Sequence, residues 1–360
     1  MKVLFVLMHS APYRDPVINA FLEANKEYDV DVVYLYGDGV LCHPEWNLAH
    51  ETIEVIPHKK IKLLNKTFDW HKGLLKKVRK YDAIFIGGYF PVVNLLLLIK
   101  SVFLHKKIIF NCDTVKFKKG FVHNFIYRYV RKSSAFFVPG LRTKNALIQD
   151  LGIQGKRIFC GSYLIDSNTW ISQIQKYKKT ASSKFKLLFV GKLREIRNIP
   201  LLMDVAESLR KKNENIELIY IGDGTCYKNS LVAQIDRGGV VWVPECSYDS
   251  LAEYYAQADC YIHPGKEPYS LALSQAAFAG IPIVSHFAVG AADDYIKDGY
   301  NGIVVNEDKV EYFVDSVLQI KNNLEVFSDN AKKYAEEIQK TRSVDWGKDQ
   351  LLGAVKACAE

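Results

Sequence analysis

Short apolar runs rich in Val, Ile and aromatic residues recur along the chain. Each is followed by a segment whose apolar positions return every three or four residues. In the first half the runs are Val3–Leu7, Val30–Leu35, Ala83–Ile86, Lys107–Phe110 and Ala135–Val138. In the second they are Lys186–Val190, Ile216–Ile221, Val240–Val243, Cys260–His263 and Ile281–Val284. Such runs predict buried strands, and the three-to-four spacing predicts amphipathic helices. Strands alternating with helices predict an α/β fold, with parallel sheets covered by helices on both faces. Asp15-Pro16 supplies an N-cap and a first-turn proline for the first helix, which the pattern carries to Lys26. The alternation lapses over Tyr177–Lys184, a polar stretch without periodicity. No sequence repeat relates the halves, so they share an architecture only. Ligands of such folds sit beyond the carboxyl ends of the strands, which here means a cleft between two domains.

At 360 residues, 49% hydrophobic and 24% charged, the chain has length for two ordinary domains and apolar content for their cores. The seven cysteines (42, 112, 160, 226, 246, 260 and 358) are scattered, with no Cys-x-x-Cys. That points to reduced thiols in a cytoplasmic protein, and away from a disulfide framework or a zinc site. The apolar run Val3–Met8 is too short for a signal-peptide core, and Leu95–Leu104 is interrupted by Lys100, well short of a membrane span.

The net charge of +8 hides an asymmetry. Residues 1–180 hold 28 Lys and Arg against 14 Asp and Glu, whereas residues 181–360 hold 20 against 26. Only the first half is therefore suited to an anionic partner. Two of its segments concentrate the charge. Lys59–Lys80 carries nine Lys and Arg and a single acid, Asp69. Phe117, Phe121, Phe125 and Tyr129 recur every four residues among Lys116, Lys118, Lys119, Arg128, Arg131 and Lys132. That stripe has two readings, a core-facing helix or a helix lying on an anionic membrane surface. Nucleic acid is set aside, because no recognisable nucleic-acid module accompanies the charge.

Candidate chemistry sits in the second half. In Lys266-Glu267-Pro268-Tyr269-Ser270-Leu271, running on through Gln275 to Gly280-Ile281-Pro282, an acidic residue is expected to open a helix. Gln275, eight positions on, would then lie on nearly the same face, roughly 12 Å away at 1.5 Å rise per residue. That span suits a sugar at one end and a ribose at the other, with phosphates at the helix N-terminus between them. Upstream, Lys186–Val190 leads through Gly191 into a turn flanked by Lys192 and Arg197. Two cations beside a helix start can neutralise a leaving diphosphate; a merely solvated basic loop is the other reading.

These elements have a family counterpart. Gly191-Lys192-Leu193 with Arg197 resembles the Gly-Arg-Leu-x-x-x-Lys element of retaining glycosyltransferases of family GT4, which have the GT-B fold. Ile221-Gly222-Asp223-Gly224 is similar to that family's glycine turn after the second strand, and Ala258-Asp259-Cys260-Tyr261-Ile262-His263-Pro264 to its following acidic-hydrophobic strand. Glu267-Pro268-Tyr269-Ser270-Leu271 resembles its Glu-Pro-aromatic-Gly-Leu loop, and Ile296-Lys297-Asp298-Gly299-Tyr300-Asn301-Gly302 its Asp-Gly-x-Asn-Gly turn. The resemblance runs from Lys186 to Val304.

The resemblance implies two Rossmann-like domains facing a central cleft. They are an acceptor-binding domain over 1–165, a linker over 166–183 and a nucleotide-sugar-binding domain over 184–342. A C-terminal helix, 343–360, returns to the first domain. It implies transfer of a sugar from a nucleoside-diphosphate donor to a glycan or lipid-linked acceptor, with retention and without a metal or other cofactor. Glu267 takes the role of the family acid that contacts the donor sugar, and Gln275 stands where a second glutamate holds the ribose. Lys192 and Arg197 hold the diphosphate. Gly191, Gly222 and the backbone near Tyr269, Ser270 and Leu271 complete the donor site. Gln275 lacks the charge-assisted bond of a carboxylate, Lys192 replaces a bidentate arginine by a point charge, and Ser270 replaces a glycine. A catalytically inactive nucleotide-sugar-binding or scaffold protein is the alternative these departures leave open; a sugar-nucleotide epimerase of the same architecture is a weaker one.

On the acceptor side, His9-Ser10-Ala11-Pro12-Tyr13-Arg14-Asp15-Pro16 resembles the Pro-Tyr-Arg-x-Pro opening of some bacterial polysaccharide glycosyltransferases. Arg14 has two readings, contact with an acceptor phosphate or a helix cap made with Asp15. His9 lies in the same loop. Asp113, just after the strand Lys107–Phe110, is the acid best placed to touch the acceptor. The expected setting is surface polysaccharide assembly (lipopolysaccharide or capsule), in a cytoplasmic protein peripheral to the inner face of the cytoplasmic membrane.

Overall fold

The computed structural model describes residues 1–36, 54–63, 66–212, 214–224, 226, 231–232, 235 and 238–359. Of the sequence expectations, Cys42 and the Lys66 side chain lie outside what is described. The chain divides into two compact units, Met1–Ile165 with Val344–Glu360, and Asp166–Ser343.

The first unit runs β1 (Lys2–Leu7), α1 (Asp15–Ala24), β2 (Asp29–Tyr34), β3 (Glu54–Val55), β4 (His58–Leu63), β5 (Lys66–His71), α2 (Leu74–Lys77), β6 (Ala83–Gly87), α3 (Val92–Phe103), β7 (Lys107–Asn111), α4 (Phe121–Val130), β8 (Ala135–Val138), α5 (Leu141–Leu151) and β9 (Ile158–Cys160), and is completed by α13 (Val344–Lys356). Seven strands form one parallel sheet in the order β3-β2-β1-β6-β7-β8-β9. Side chains alternate across a strand, so neighbours in sequence feed different cores. Leu4, Val6, Ile84, Ile86, Ile108 and Phe110 pack with Leu97, Tyr127 and Leu147 on one face. Val3, Phe5, Phe85, Ile109 and Phe137 pack with Val17, Phe21, Leu351 and Val355 of α1 and α13 on the other. The basic stretch forms an antiparallel hairpin, β4 against β5, with Lys60 opposite Asp69. The aromatic stripe is divided by the fold. Phe117 is in the core before α4 begins and Tyr129 is partly buried, but Phe121 and Phe125 are 90% and 49% exposed. Tyr127 and Val130 supply the buried face of α4 instead.

The second unit runs α6 (Ser167–Ile174), β10 (Phe185–Val190), α7 (Ile199–Lys211), β11 (Ile216–Ile221), β12 (Val240–Val243), α8 (Tyr248–Gln257), β13 (Cys260–His263), α9 (Leu271–Phe278), β14 (Ile283–His286), α10 (Ala292–Tyr295), β15 (Gly302–Val305), α11 (Val310–Asn322) and α12 (Leu324–Arg342). Its six strands are parallel, in the order β12-β11-β10-β13-β14-β15. Leu187, Phe189, Tyr220 and Ile262 pack against Leu202, Val205, Phe313 and Val317 of α7 and α11.

Residues 166–183 are not a bare linker. Asp166 caps α6, its Oδ1 accepting from the Thr169 N–H at 3.1 Å. Trp170 is fully buried, with its ring 5.2 Å from that of Tyr255 and its Nε1–H donating to the Gln275 carbonyl at 2.9 Å. One indole thus fastens α6 to the helices Tyr248–Gln257 and Leu271–Phe278 of this unit. The periodicity of so short a helix was masked by its polar residues.

Candidate active site

In the second unit, two glycine turns meet at the ends of β10 and β11. The Gly191 N–H donates to the Ile221 carbonyl at 2.9 Å, and the Gly191 carbonyl accepts from the Tyr220 hydroxyl at 2.9 Å. Gly222 has φ +134°, and a Cβ there would stand 2.2 Å from the Gly191 carbonyl oxygen. Only a glycine lets the turns come this close. Leu193 anchors the loop in the core while Lys192 is exposed, its ammonium without a hydrogen-bond or ion-pair partner among the described residues. One turn of 3-10 helix (Glu195–Arg197) and Asn198, at φ +51°, lead into α7.

Arg197 turns back toward β13. Its Nη1 donates to Glu267 Oε1 and lies 3.0 Å from His263 Nε2, and Nε2 is 2.7 Å from the same carboxylate oxygen. The Gly265 N–H donates to His263 Nδ1 at 3.2 Å. Because Nδ1 accepts, the ring proton belongs on Nε2, where it donates to Glu267. His263 is fully buried and Glu267 nearly so. Burial works to raise the Glu267 carboxyl. The hydrogen bond from His263 and the charge of Arg197 outweigh it, holding the group below the usual carboxylate range. The Arg197 Nε is buried without a partner and lies 3.4 Å from where a Gly191 Cβ would stand. An unmet donor is thereby left beside the Lys192 turn, a place for an anionic oxygen.

The loop bearing Glu267 is clamped on both sides. A Cβ at Gly265 would stand 2.5 Å from the Ile196 carbonyl, and one at Gly290 only 1.7 Å from the Pro268 carbonyl. The Gly290 N–H donates to the Glu267 carbonyl at 2.9 Å. This loop corrects the sequence expectation of one helix carrying Glu267 and Gln275 on a shared face. The helix begins at Leu271, so the helical spacing between the two does not apply. Pro268 disfavours helical backbone at the residue before it. Ser270, in the place expected to constrain the donor, is the N-cap, its Oγ accepting from the Leu273 N–H at 3.3 Å.

Tyr269 points its side chain into the protein, with its hydroxyl 3.4 Å from that of Tyr295, so only its backbone is available to a ligand. Leu271 opens α9 with first-turn N–H groups that have no intrahelical acceptor. Gln275 is buried beneath Tyr248. Burial pushes the Tyr248 hydroxyl up to about 12, against the opposing effect of a hydrogen bond with the Gln275 side chain. His263, Gly265 and Gly290 were missed as site residues. The signal for His263 was its place at the end of an apolar strand, four residues before Glu267.

In the first unit, Arg14 is buried. Its Nε donates to Asp15 Oδ1 at 3.3 Å and its Nη2 to the His9 carbonyl, while His9 Nδ1 is 2.7 Å from the Ser10 carbonyl oxygen. Asp15 is the first helical residue of α1 and not its cap. Its carboxylate accepts from Ser10 Oγ at 2.9 Å, the Ala11 N–H at 3.0 Å and the Tyr34 hydroxyl at 2.7 Å. Asp113 follows β7 and accepts from the Tyr163 hydroxyl at 3.2 Å, at the edge of a pocket of about 310 Å³.

Known proteins resemble this chain in sequence and in fold. The family model for glycosyl transferases group 1 matches residues 171–340. An uncharacterized glycosyltransferase of Methanocaldococcus jannaschii is 22% identical over 346 residues, covering 88% of this chain and 87% of that protein. A GDP-mannose-dependent alpha-mannosyltransferase of Corynebacterium glutamicum is 25% identical over 191 residues, 51% of this chain and 42% of its own. Among solved structures, Anabaena HepE in complex with UDP superposes with a TM-score of 0.73 at 16% identity, covering 99% of this chain and 100% of its own. The chain thus has the two-domain GT-B fold of these solved structures, and its second unit carries the match to glycosyl transferases group 1.

Proposed function

We propose that the protein is a GT4-type enzyme that transfers a glycosyl group, with retention, from a nucleoside-diphosphate sugar to a hydroxyl of a glycan or lipid-linked acceptor. The observation that carries the reading is the convergence of Arg197, His263 and Glu267 beside the glycine turn that presents an unpartnered Lys192. Lys192, the open Arg197 Nε and the first-turn N–H groups of α9 take the diphosphate, so the reading assigns no metal or other cofactor. Glu267, fixed by His263 and Arg197, positions the donor sugar, and Gln275 serves the ribose. The acceptor oxygen bonds to the anomeric carbon on the face from which the diphosphate departs. The bond from that carbon to the phosphate oxygen breaks, and the departing phosphate takes the acceptor proton. Positive charge around the leaving group is what accelerates such a step.

The setting we assign is bacterial surface polysaccharide assembly at the inner face of the cytoplasmic membrane. Support for a membrane face comes from Phe121 and Phe125, which face outward on α4 beside exposed Lys118, Lys119, Arg128 and Lys132. No helix among the described residues is long and apolar enough to cross a membrane. A second reading, a binding protein without turnover, draws on Gln275, which offers no carboxylate and is already engaged with Tyr248.

A panel of nucleotide sugars with lipid-linked and free glycan acceptors, followed by nucleoside diphosphate release, tests both readings. One donor is expected to turn over, and Glu267→Ala to abolish transfer. Full transfer by Glu267→Ala would remove the assigned role, and tight binding with no turnover on any acceptor would favour the second reading.

A further inference from the structure

The pocket at the carboxyl ends of β6 and β7 is lined by Gly88, Tyr89, Phe90, Asp113, Thr114 and Tyr163, among others. At about 310 Å³ it sits at the small end of ligand pockets, which suits a single ring and not a nucleotide. We propose that it takes an uncharged pyranose of the acceptor, with a sugar hydroxyl donating to Asp113 and the ring lying against Phe90, and that it excludes a phosphate. The proposal rests on the transfer reading above and narrows its acceptor.

Three features argue for it. First, the pocket is built. Buried Asn94 of α3 donates from Nδ2 to the Gly87 carbonyl at 2.9 Å and to the Phe90 carbonyl at 3.2 Å, pinning the 87–90 turn. Gly88 makes that turn at φ +73°. Second, Asp113 is half-committed. One carboxylate oxygen accepts from the Tyr163 hydroxyl, and the other has no protein partner among the described residues. Tyr163 is braced by the Tyr13 ring at 4.9 Å, and its hydroxyl is held protonated by burial and by the Asp113 charge, so it stays a donor to Asp113. Third, Phe90 is 74% exposed at this turn, an apolar ring face beside a carboxylate.

The charge pattern supplies the exclusion. Among the described residues no Lys, Arg or His lines the pocket, so a phosphate there would meet the Asp113 carboxylate without a compensating cation from them. Arg14 is felt at the Tyr163 hydroxyl but is buried and bound to Asp15 and the His9 carbonyl. A polyhydroxyl ring, donating to a carboxylate and stacking on an aromatic, has neither penalty.

The test titrates the full chain with octyl glycosides of several neutral pyranoses and, separately, with octyl phosphate, reading saturation transfer by NMR. At least one glycoside is expected to bind, and Asp113→Asn and Phe90→Ala each to weaken it by about tenfold, the loss of one hydrogen bond to a charged group or of a ring contact. Asn at 113 still accepts from Tyr163, and Phe90 is exposed, so circular dichroism should confirm that both variants fold. The proposal is overturned if no glycoside binds, if neither variant weakens binding, or if octyl phosphate binds and Phe90→Ala weakens it. Nucleoside diphosphate binding on the same samples separates the two readings. Its absence sinks the transfer reading alone, and its presence without glycoside binding sinks this pocket alone.

Discussion

At the scale of single residues, the Arg197–His263–Glu267 cluster ties acidity to stability. The Glu267 carboxyl is held below its unfolded value, so its contribution is full above the ordinary glutamate range near about 4.3 and is lost as pH falls through the folded value. Urea midpoints measured from pH 7 down to pH 3 should therefore fall more steeply for the wild type than for Glu267→Gln, which removes the titrating group; parallel curves would show that the cluster does not depress Glu267. Arg197→Ala leaves that buried carboxylate short of a partner and is expected to cost about 3 kcal/mol in the same assay. Lys192 differs, because it is exposed and unpartnered. Lys192→Ala should leave the melting temperature unchanged and weaken nucleoside diphosphate binding by roughly tenfold, the value of one charge-assisted contact. Calorimetric titration beside a melting curve reads both numbers on one preparation.

Secondary-structure elements carry a different constraint, the contact of loop backbones. Gly290→Ala forces a Cβ to within 1.7 Å of the Pro268 carbonyl, so the loop bearing Glu267 must shift. A loss of at least about 2 kcal/mol is expected, as for overpacking, together with lost transfer. At Gly155 the nearest atom to an added Cβ is Ile148 Cδ1 at 3.7 Å, and alanine there should stay within about 0.5 kcal/mol. Denaturant melts of the two variants make the comparison. Most strands were legible because a buried parallel strand is a continuous apolar run. β9 and β15 were missed as short runs, and the β4–β5 hairpin was hidden by lysines on an exposed ribbon. Arg197 and Glu267, which the structure brings together, were both singled out in the sequence, but their geometry was not. Nothing in the spacing of Glu267 and Gln275 reveals that Ser270 captures the helix start, and a contact such as Arg197 to His263 spans 66 positions.

For the molecule as a whole, the two units differ in what they present to water. On the first, the outward ring of Phe103 lies 6.4 Å from that of Tyr129, which is 5.2 Å from that of Phe125, so an aromatic surface runs from α3 to α4, and Phe121 is exposed on the same helix as Phe125. Flotation with vesicles rich in anionic lipid should carry the protein upward at low salt and release much of it at high salt. Phe121→Ser with Phe125→Ser should reduce flotation at every salt concentration, and equal flotation of the double variant would exclude this face. The border between the units has a further meaning. Because Trp170 reaches the carbonyl of Gln275, the segment ahead of β10 is a working part of the second unit's fold and not a tether. A recombination that joins foreign sequence at residue 184 would orphan that carbonyl and strip the cover from Tyr255. One that joins at residue 166 keeps the indole with the helix it braces. The seam at which such halves can be exchanged is therefore set by a tryptophan, eighteen or so residues ahead of where the polar stretch draws it.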